Sequence, residues 1–279
     1  MKYSSRALLF IAKLVPRGYW RIIKFAANRD VALQDFSISL HGISHPLRAD
    51  LRESVFMPLY RGGQIPHQIG FDRICRRILR PDDVVFDVGA NMGYTAALFA
   101  DAVGEGGRVV ALEPSPRSFF LLSRSLAKVR NIELLNLGVS STESDLDFYV
   151  TESLDLASFR PTEGASKVTV RTVTVDMISA DHGQPSFIQV DVEGHEPRVF
   201  DGAAATLARE DRPIIIFEAL DDGVLQECIG IITRLGGAGY RFKRIANDGT
   251  FVPVENRGGS SDYIAIPKWA EQRLASSVH

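Results

Sequence analysis

The stretch that most constrains this chain runs from residue 84 to residue 94. An apolar segment, Val84–Val88, leads into Gly89-Ala90-Asn91-Met92-Gly93, and a helical pattern begins at Tyr94. A strand that is apolar on both sides must be covered on both faces, which is the condition of a wound parallel sheet. The rhythm then repeats. Strands are expected at Val84–Val88, Arg108–Leu112, Ile132–Leu137, Phe187–Val190, Ile214–Phe217, Tyr240–Ile245 and Tyr263–Ile266. Helices are expected at Tyr94–Val103, Arg117–Val129, Pro197–Ala208 and Val224–Leu235, each with apolar residues at helical spacing. Between Ser144 and Val175 the pattern changes: Leu146–Val150 and Val168–Val175 alternate like a hairpin inserted into the α/β frame.

The flanks have other textures. Residues 1–30 read as one basic, apolar helix and residues 31–80 as a mixed accessory segment with a strand near Phe36–Leu40. Residues 81–268 form the main domain and 269–279 a short tail. Of 279 residues, 45% are hydrophobic and 24% charged, which excludes disordered and collagen-like chains. The first 30 residues carry seven Lys or Arg against Asp30 alone, a local charge of +6 on a chain whose total is −2. The body is therefore acidic and offers no field for nucleic acid. The basic segment suits a membrane interface or a partner surface through residues 1–28, and equally a helix packed on the catalytic domain. Its apolar run, Ala7–Ala12, is too short to span a bilayer and lacks a cleavage site, so a cytoplasmic location is expected. Cys75 and Cys228 lie far apart among apolar neighbours, as buried free thiols do.

Chemistry concentrates at the strand ends. Ligands of a doubly wound sheet bind where the carboxyl edges of the strands open. Gly89 and Gly93 permit a tight turn there, Asp87 places a carboxylate beside it, and Glu113 ends the next strand 24 residues beyond Gly89. That distance suits an acid that binds ribose hydroxyls. S-adenosylmethionine, with a ribose and a charged amino-acid end, satisfies both acids. A nicotinamide dinucleotide is the alternative, but Asn91 stands where its second fingerprint glycine belongs, and Asp87 would face a pyrophosphate. A glycine turn with no ligand is the third reading.

The second loaded stretch is Phe187-Ile188-Gln189-Val190-Asp191-Val192-Glu193-Gly194-His195-Glu196-Pro197. In extended geometry Asp191, Glu193 and His195 share one face. Glu196 reads as a helix-start charge, and Glu218 brings another carboxylate after the next strand. His195 is the expected general base, since its unperturbed pKa of about 6.5 lies near working pH. Asp191, Glu193 and Glu218 also offer oxygens suited to magnesium, although such carboxylates equally serve as plain acceptors, and the metal-free reaction is preferred.

These motifs in this order resemble the FkbM-type methyltransferase family. The resemblance runs from about Ala49 to Pro267 and is strongest at Phe86–Tyr94, Val170–Met177, Ile188–Glu196 and Pro213–Glu218. Gln189 departs from a common lysine, and Arg198 from a common apolar residue. The resemblance implies a Rossmann-like seven-strand sheet with an antiparallel last strand. It implies a donor site of Asp87, Gly89, Asn91, Gly93, Tyr94, Glu113 and Pro114, with Leu137 and Gly138 flanking the adenine. Asp191 would serve both the donor site and the reaction edge, the latter with Glu193, His195 and Glu218. The implied activity is O-methylation of a saccharide or a glycosylated or secondary metabolite. A nicotinamide oxidoreductase and a non-catalytic membrane-tethered module remain the alternatives.

Overall fold

The computed structural model describes residues 4–151, 157–254 and 261–275, so the ends of the basic segment and of the tail lie outside the described residues. The basic segment is two helices rather than one. Helix α1 (Ser5–Leu14) is capped by the Ser4 hydroxyl, and α2 (Tyr19–Arg29) starts after Gly18. Pro16 has no N–H to continue a helix, and Gly18 adopts φ 72°, so the chain reverses there. A small antiparallel pair, β1 (Phe36–Ile38) and β2 (Leu47–Ala49), precedes helices α3 (Phe56–Gly62) and α4 (Ile69–Ile78).

Next come β3 (Val84–Val88), α5 (Tyr94–Val103), β4 (Arg108–Leu112), α6 (Pro116–Leu126) and β5 (Ile132–Leu135). The third strand stops two residues short of expectation because Asn136 turns inward, its Nδ2 donating to the carbonyls of Glu113 and Pro114. The expected hairpin is a three-stranded sheet: β6 (Gly138–Val139) pairs parallel with β8 (Ser166–Val173), which pairs antiparallel with β7 (Ser144–Val150). Strand β8 ends at Val173 because the Thr174 hydroxyl caps α7 (Val175–His182). After β9 (Phe187–Val190), the expected helix over 197–208 is broken near Gly202 into α8 (Glu196–Asp201) and α9 (Ala204–Ala208). Then follow β10 (Ile214–Ala219), α10 (Asp222–Gly236), β11 (Tyr240–Ile245), β12 (Phe251–Val252), β13 (Ser261–Pro267) and α11 (Glu271–Ala275).

The main sheet has the order β12-β11-β13-β10-β9-β3-β4-β5: seven principal strands and a two-residue edge strand. Strands β3, β4, β5, β9 and β10 are parallel, whereas β13 runs antiparallel to both β10 and β11. Side chains partition by twos. Val85, Val109, Phe187, Ile214, Ile216 and Ile264 enter one core layer; Phe86, Val110, Ile188, Ile215, Phe217 and Ala265 enter the other. The first layer is closed by α1, α2, α4, α5 and α6, the second by α7, α8 and α10. Among the described residues no helix is long and apolar enough to cross a membrane.

Leu9, Ala12, Ile23, Ala26 and Ala27 belong to the first layer, so the basic hairpin buries its inner face in the same core as the sheet. Ile23→Ala should therefore lower the unfolding free energy by about 2–4 kcal/mol in a urea titration. Phe25→Ala, on the exposed side, should stay within about 0.5 kcal/mol. Equally small effects at both positions would mean that the hairpin is not docked.

Candidate functional site

Register builds the site. Val88 pairs with Leu112 on one side and Val190 on the other, and Val190 pairs with Phe217. The residues that follow these strand positions (Gly89, Glu113, Asp191 and Glu218) therefore form one row along the carboxyl edge. Glu218 pairs across to Asp262 on the antiparallel strand, adding a fifth member. This row opens into a cavity of 440 Å³, within the ordinary range for small-molecule sites. Of the residues singled out from sequence, Gly89, Asn91, Tyr94, Glu113, Pro114, Asp191, Glu193 and Glu218 line it.

The glycine turn is held by Glu113. Its Oε2 accepts from the Asn91 amide at 2.8 Å and its Oε1 from the Ser115 amide at 2.7 Å, tying the β3–α5 turn to the start of α6. Asn91 itself adopts φ 47°, and its buried Oδ1 has no hydrogen-bond partner. Gly89 faces a harder limit: a Cβ there would sit 1.8 Å from the Asp191 carbonyl oxygen. Asp87 is fully buried, one oxygen accepting from Thr95 Oγ1 at 2.8 Å and the other without a partner. Gly93 supports the site by packing, since a Cβ would meet Leu122 and Leu126 of α6. Leu137 and Gly138 do not line the cavity; Gly138 lies in β6, paired with Thr172.

The second motif turns instead of staying extended. Glu193 and Gly194 adopt φ 53° and 91°, so the expected common face of Asp191, Glu193 and His195 does not form. Glu196 opens α8 as the expected helix-start charge and is also the bracket of this turn. It is fully buried, and its Oε1 accepts from the amides of Val192 and Gly194 at 3.1 Å each. The turn sends Glu193 into the cavity and His195 away from it. Carboxylate oxygens of Asp191, Glu193 and Glu218 lie within 4.8 Å of one another. His195 lines a second, shallower cleft with Asp145, Asp147 and Tyr149. Its Nε2 hydrogen-bonds Ser140 Oγ at 3.0 Å, and its ring stacks on Phe159 at 4.3 Å. Phe159 borders both spaces and is the wall between them.

Sequence reasoning missed the cavity's cover. Ser54, Val55, Pro58, Ile65, His67 and Gln68, all from the accessory segment, line the same space, as does Asp262. No local motif marks the cover; the faint signal for Asp262 is an acid preceding the last apolar strand.

Burial dominates the electrostatics. Asp87 and Glu113 are pushed up to about 7 by loss of water, and Asp262 to about 7 by burial and then by Glu218. Asp191 is held well above the usual carboxylate range by burial first, then by Glu218, Glu193 and Asp262. Burial moves His195 the other way, to about 4, with Arg198 and Arg160 adding to it. Its imidazole is thus neutral at physiological pH.

Those raised acids contribute stability in mild acid that is lost as pH rises. Between about pH 4 and 7 a buried Asp87 keeps a proton that the unfolded chain, titrating at about 3.9, has released. The folded state then binds more protons, so stability falls as pH rises through that window. Asp87→Asn removes this titration. Its melting temperature relative to the parent should climb between pH 5 and pH 8, and a difference independent of pH would contradict the assignment.

Residues 87–242 match the family model of the methyltransferase FkbM domain. Over 130 residues, 45% of this chain, the protein is 31% identical to the hexuronic acid methyltransferase AglP of Haloferax volcanii. Over 98 residues, 34% of this chain, it is 37% identical to the 31-O-demethyl-FK506 methyltransferase FkbM of Streptomyces tacrolimicus. These matches span 52% and 37% of the two relatives. A crystal structure of precorrin-6y C5,15-methyltransferase from Geobacter metallireducens aligns with TM-score 0.44 and 15% identity, over 72% of this chain and 88% of that one. The matched segment begins at Asp87 of the first parallel strand and takes in the acidic row as far as Glu218; covering more than half of the chain, it makes this protein a member of the FkbM methyltransferase family.

Proposed function

We propose that the cavity binds S-adenosylmethionine and that the protein methylates a hydroxyl of a saccharide or a glycosylated or secondary metabolite. The observation that carries this reading is the acidic row beside Gly89, where a bare backbone meets carboxylates suited to a cationic ligand with a ribose. Bound there, the donor would supply a methyl carbon already activated on a positive sulfur. The chain's own groups fit it. Gly89 leaves room for close approach, Asn91 Oδ1 is a buried acceptor awaiting a donor, and Glu113 keeps lone pairs beyond its two amide bonds. Val55, Pro58 and Ile65 would keep water from the reacting atoms. A nicotinamide cofactor fits less well, because its pyrophosphate would meet this acidic row.

At the acceptor end the hydroxyl proton would pass to the Asp191–Glu193–Glu218 cluster. Burial, and after it the neighbouring carboxylates of Glu218 and Glu193, raises the Asp191 carboxyl in proton affinity, and a more basic carboxylate is the better proton acceptor. His195, held by Ser140 and Phe159 outside this cavity, would act by bracing the wall. Mutual approach of the three carboxylates within 4.8 Å favours one second reading, in which Asp191, Glu193 and Glu218 would hold a divalent ion that would supply Lewis acidity for the acceptor hydroxyl. The acceptor class leans on the relatives, one named for a hexuronic acid and one for a 31-O-demethyl substrate.

Calorimetric titration with S-adenosylhomocysteine should show binding, weakened about 10–100-fold in Glu113→Ala by loss of a charged hydrogen-bond acceptor. Binding of NAD(P) in place of the homocysteine product would end the methyltransferase reading. Glu193→Gln should lower turnover by about 10²–10⁴-fold with donor affinity nearly unchanged, and His195→Ala should cost less. The reverse ranking would restore His195 as base, while loss in chelator with rescue by magnesium would select the metal reading. Isotope-labelled methyl found on nitrogen or carbon of the product would refute the hydroxyl acceptor.

A further inference from the structure

The α1–α2 hairpin is apolar on two sides, and the fold covers only one. Its inner side chains are buried in the first core layer. On the outer side Phe10, Leu14, Trp20 and Phe25 are 47–68% exposed. Their spacing interleaves them with cations: Arg6, Phe10, Lys13 and Leu14 share one face of α1, and Trp20, Arg21, Lys24 and Phe25 crowd the outward half of α2. Arg6, Lys13, Arg17, Arg21, Lys24 and Arg29 are all exposed, and among the described residues none is paired with a carboxylate. Three of them instead lie over rings: Lys13 on Tyr60 of α3 at 4.9 Å, and on the outer side Arg21 on Trp20 at 5.0 Å and Arg29 on Phe25 at 5.1 Å, where charge and ring sit at the same depth.

We propose that this outer face docks the protein on the headgroup layer of an anionic bilayer. Charge complementarity selects that occupant. A segment of +6 on a body of −8 is drawn to an anionic surface while the remainder is repelled, which fixes one orientation. Rings at the acyl boundary with cations at phosphate level are what an interfacial helix presents. Helices of 10 and 11 residues lie on such a layer and do not cross it. The dock also connects to the cavity. In α3, Tyr60 donates to the Leu9 carbonyl at 3.1 Å and Arg61 to the Pro16 carbonyl, while Val55 and Pro58 of the same stretch line the cavity. An acceptor held at a lipid surface would thus reach a cavity whose wall is joined to the membrane-facing hairpin.

Sedimentation of the full chain with vesicles tests this independently of methyl transfer. Phosphatidylcholine vesicles containing about 30% phosphatidylglycerol should carry the protein down at low salt and release it near 0.5 M salt, where the Debye length has shrunk to a few ångströms. Pure phosphatidylcholine should carry at least tenfold less. Arg21→Ala with Lys24→Ala should weaken partitioning on the order of thirty-fold, about five-fold per cation. Phe10→Asp with Phe25→Asp should also release the protein without shifting its melting temperature. In a Trp269→Phe background, Trp20 emission should move to shorter wavelength with anionic vesicles alone. Equal binding to neutral vesicles, no binding to either, or a lipid-free dimer that shields Trp20 would each overturn the proposal, the last by making the face a contact between copies.

Discussion

The cavity rests on the contact between Gly89 and the carbonyl of Asp191. Any side chain at 89 would strike that oxygen, and the Asp191 amide also donates to the Val88 carbonyl at 3.0 Å. Two turns distant in sequence are thereby pressed together at the point where the sheet's winding reverses, the place where α/β folds hold ligands. The glycine turn therefore cannot move without the DVEGHE turn. Asn91 and Glu193, the two non-glycine residues with left-handed backbone at the cavity, lie one in each turn. Such conformations persist only where surroundings over-determine them, and here Glu113 fixes the first turn and Glu196 the second.

That compactness has an electrostatic cost. Strand register aligns Glu113, Asp191, Glu218 and Asp262 along one edge, with Asp87 just beneath. Water is scarce there and no lysine or arginine lines the space among the described residues. The acids answer by holding protons, which is why three of them titrate near 7. A cavity of this kind is tuned to a ligand carrying positive charge, and such a ligand would expel protons as it enters.

Regular structure was legible in the sequence because burial writes itself into period. The boundaries of Val84–Val88, Arg108–Leu112, Phe187–Val190 and Tyr240–Ile245 coincide with the observed strands, each a short apolar run bounded by turn residues or charge. Turns are less readable. The shared face expected for Asp191, Glu193 and His195 presumed extended backbone, and two successive left-handed residues broke it. Glu196 is legible as a helix-start charge, but nothing in sequence says that it also faces inward to two amides. The cover over the cavity was invisible for a different reason. Residues 54–68 meet the glycine turn only through tertiary packing, and no spacing rule spans that distance.

The family segment begins at Asp87, yet the core layer on one side of the sheet is closed largely by what comes before it. Ile23, Leu47, Leu59, Phe71 and Ile78 pack with Val85, Phe99 and Phe187 in one cluster. A chain trimmed to the shared segment would lay that face bare, turning the sheet's interior into an adhesive surface and leaving the cavity roofless. The segment that matches the family model is thus smaller than the packed unit of this chain. In this chain the leading residues carry a double duty, since the segment that closes the core also roofs the cavity through Val55, Pro58 and Ile65.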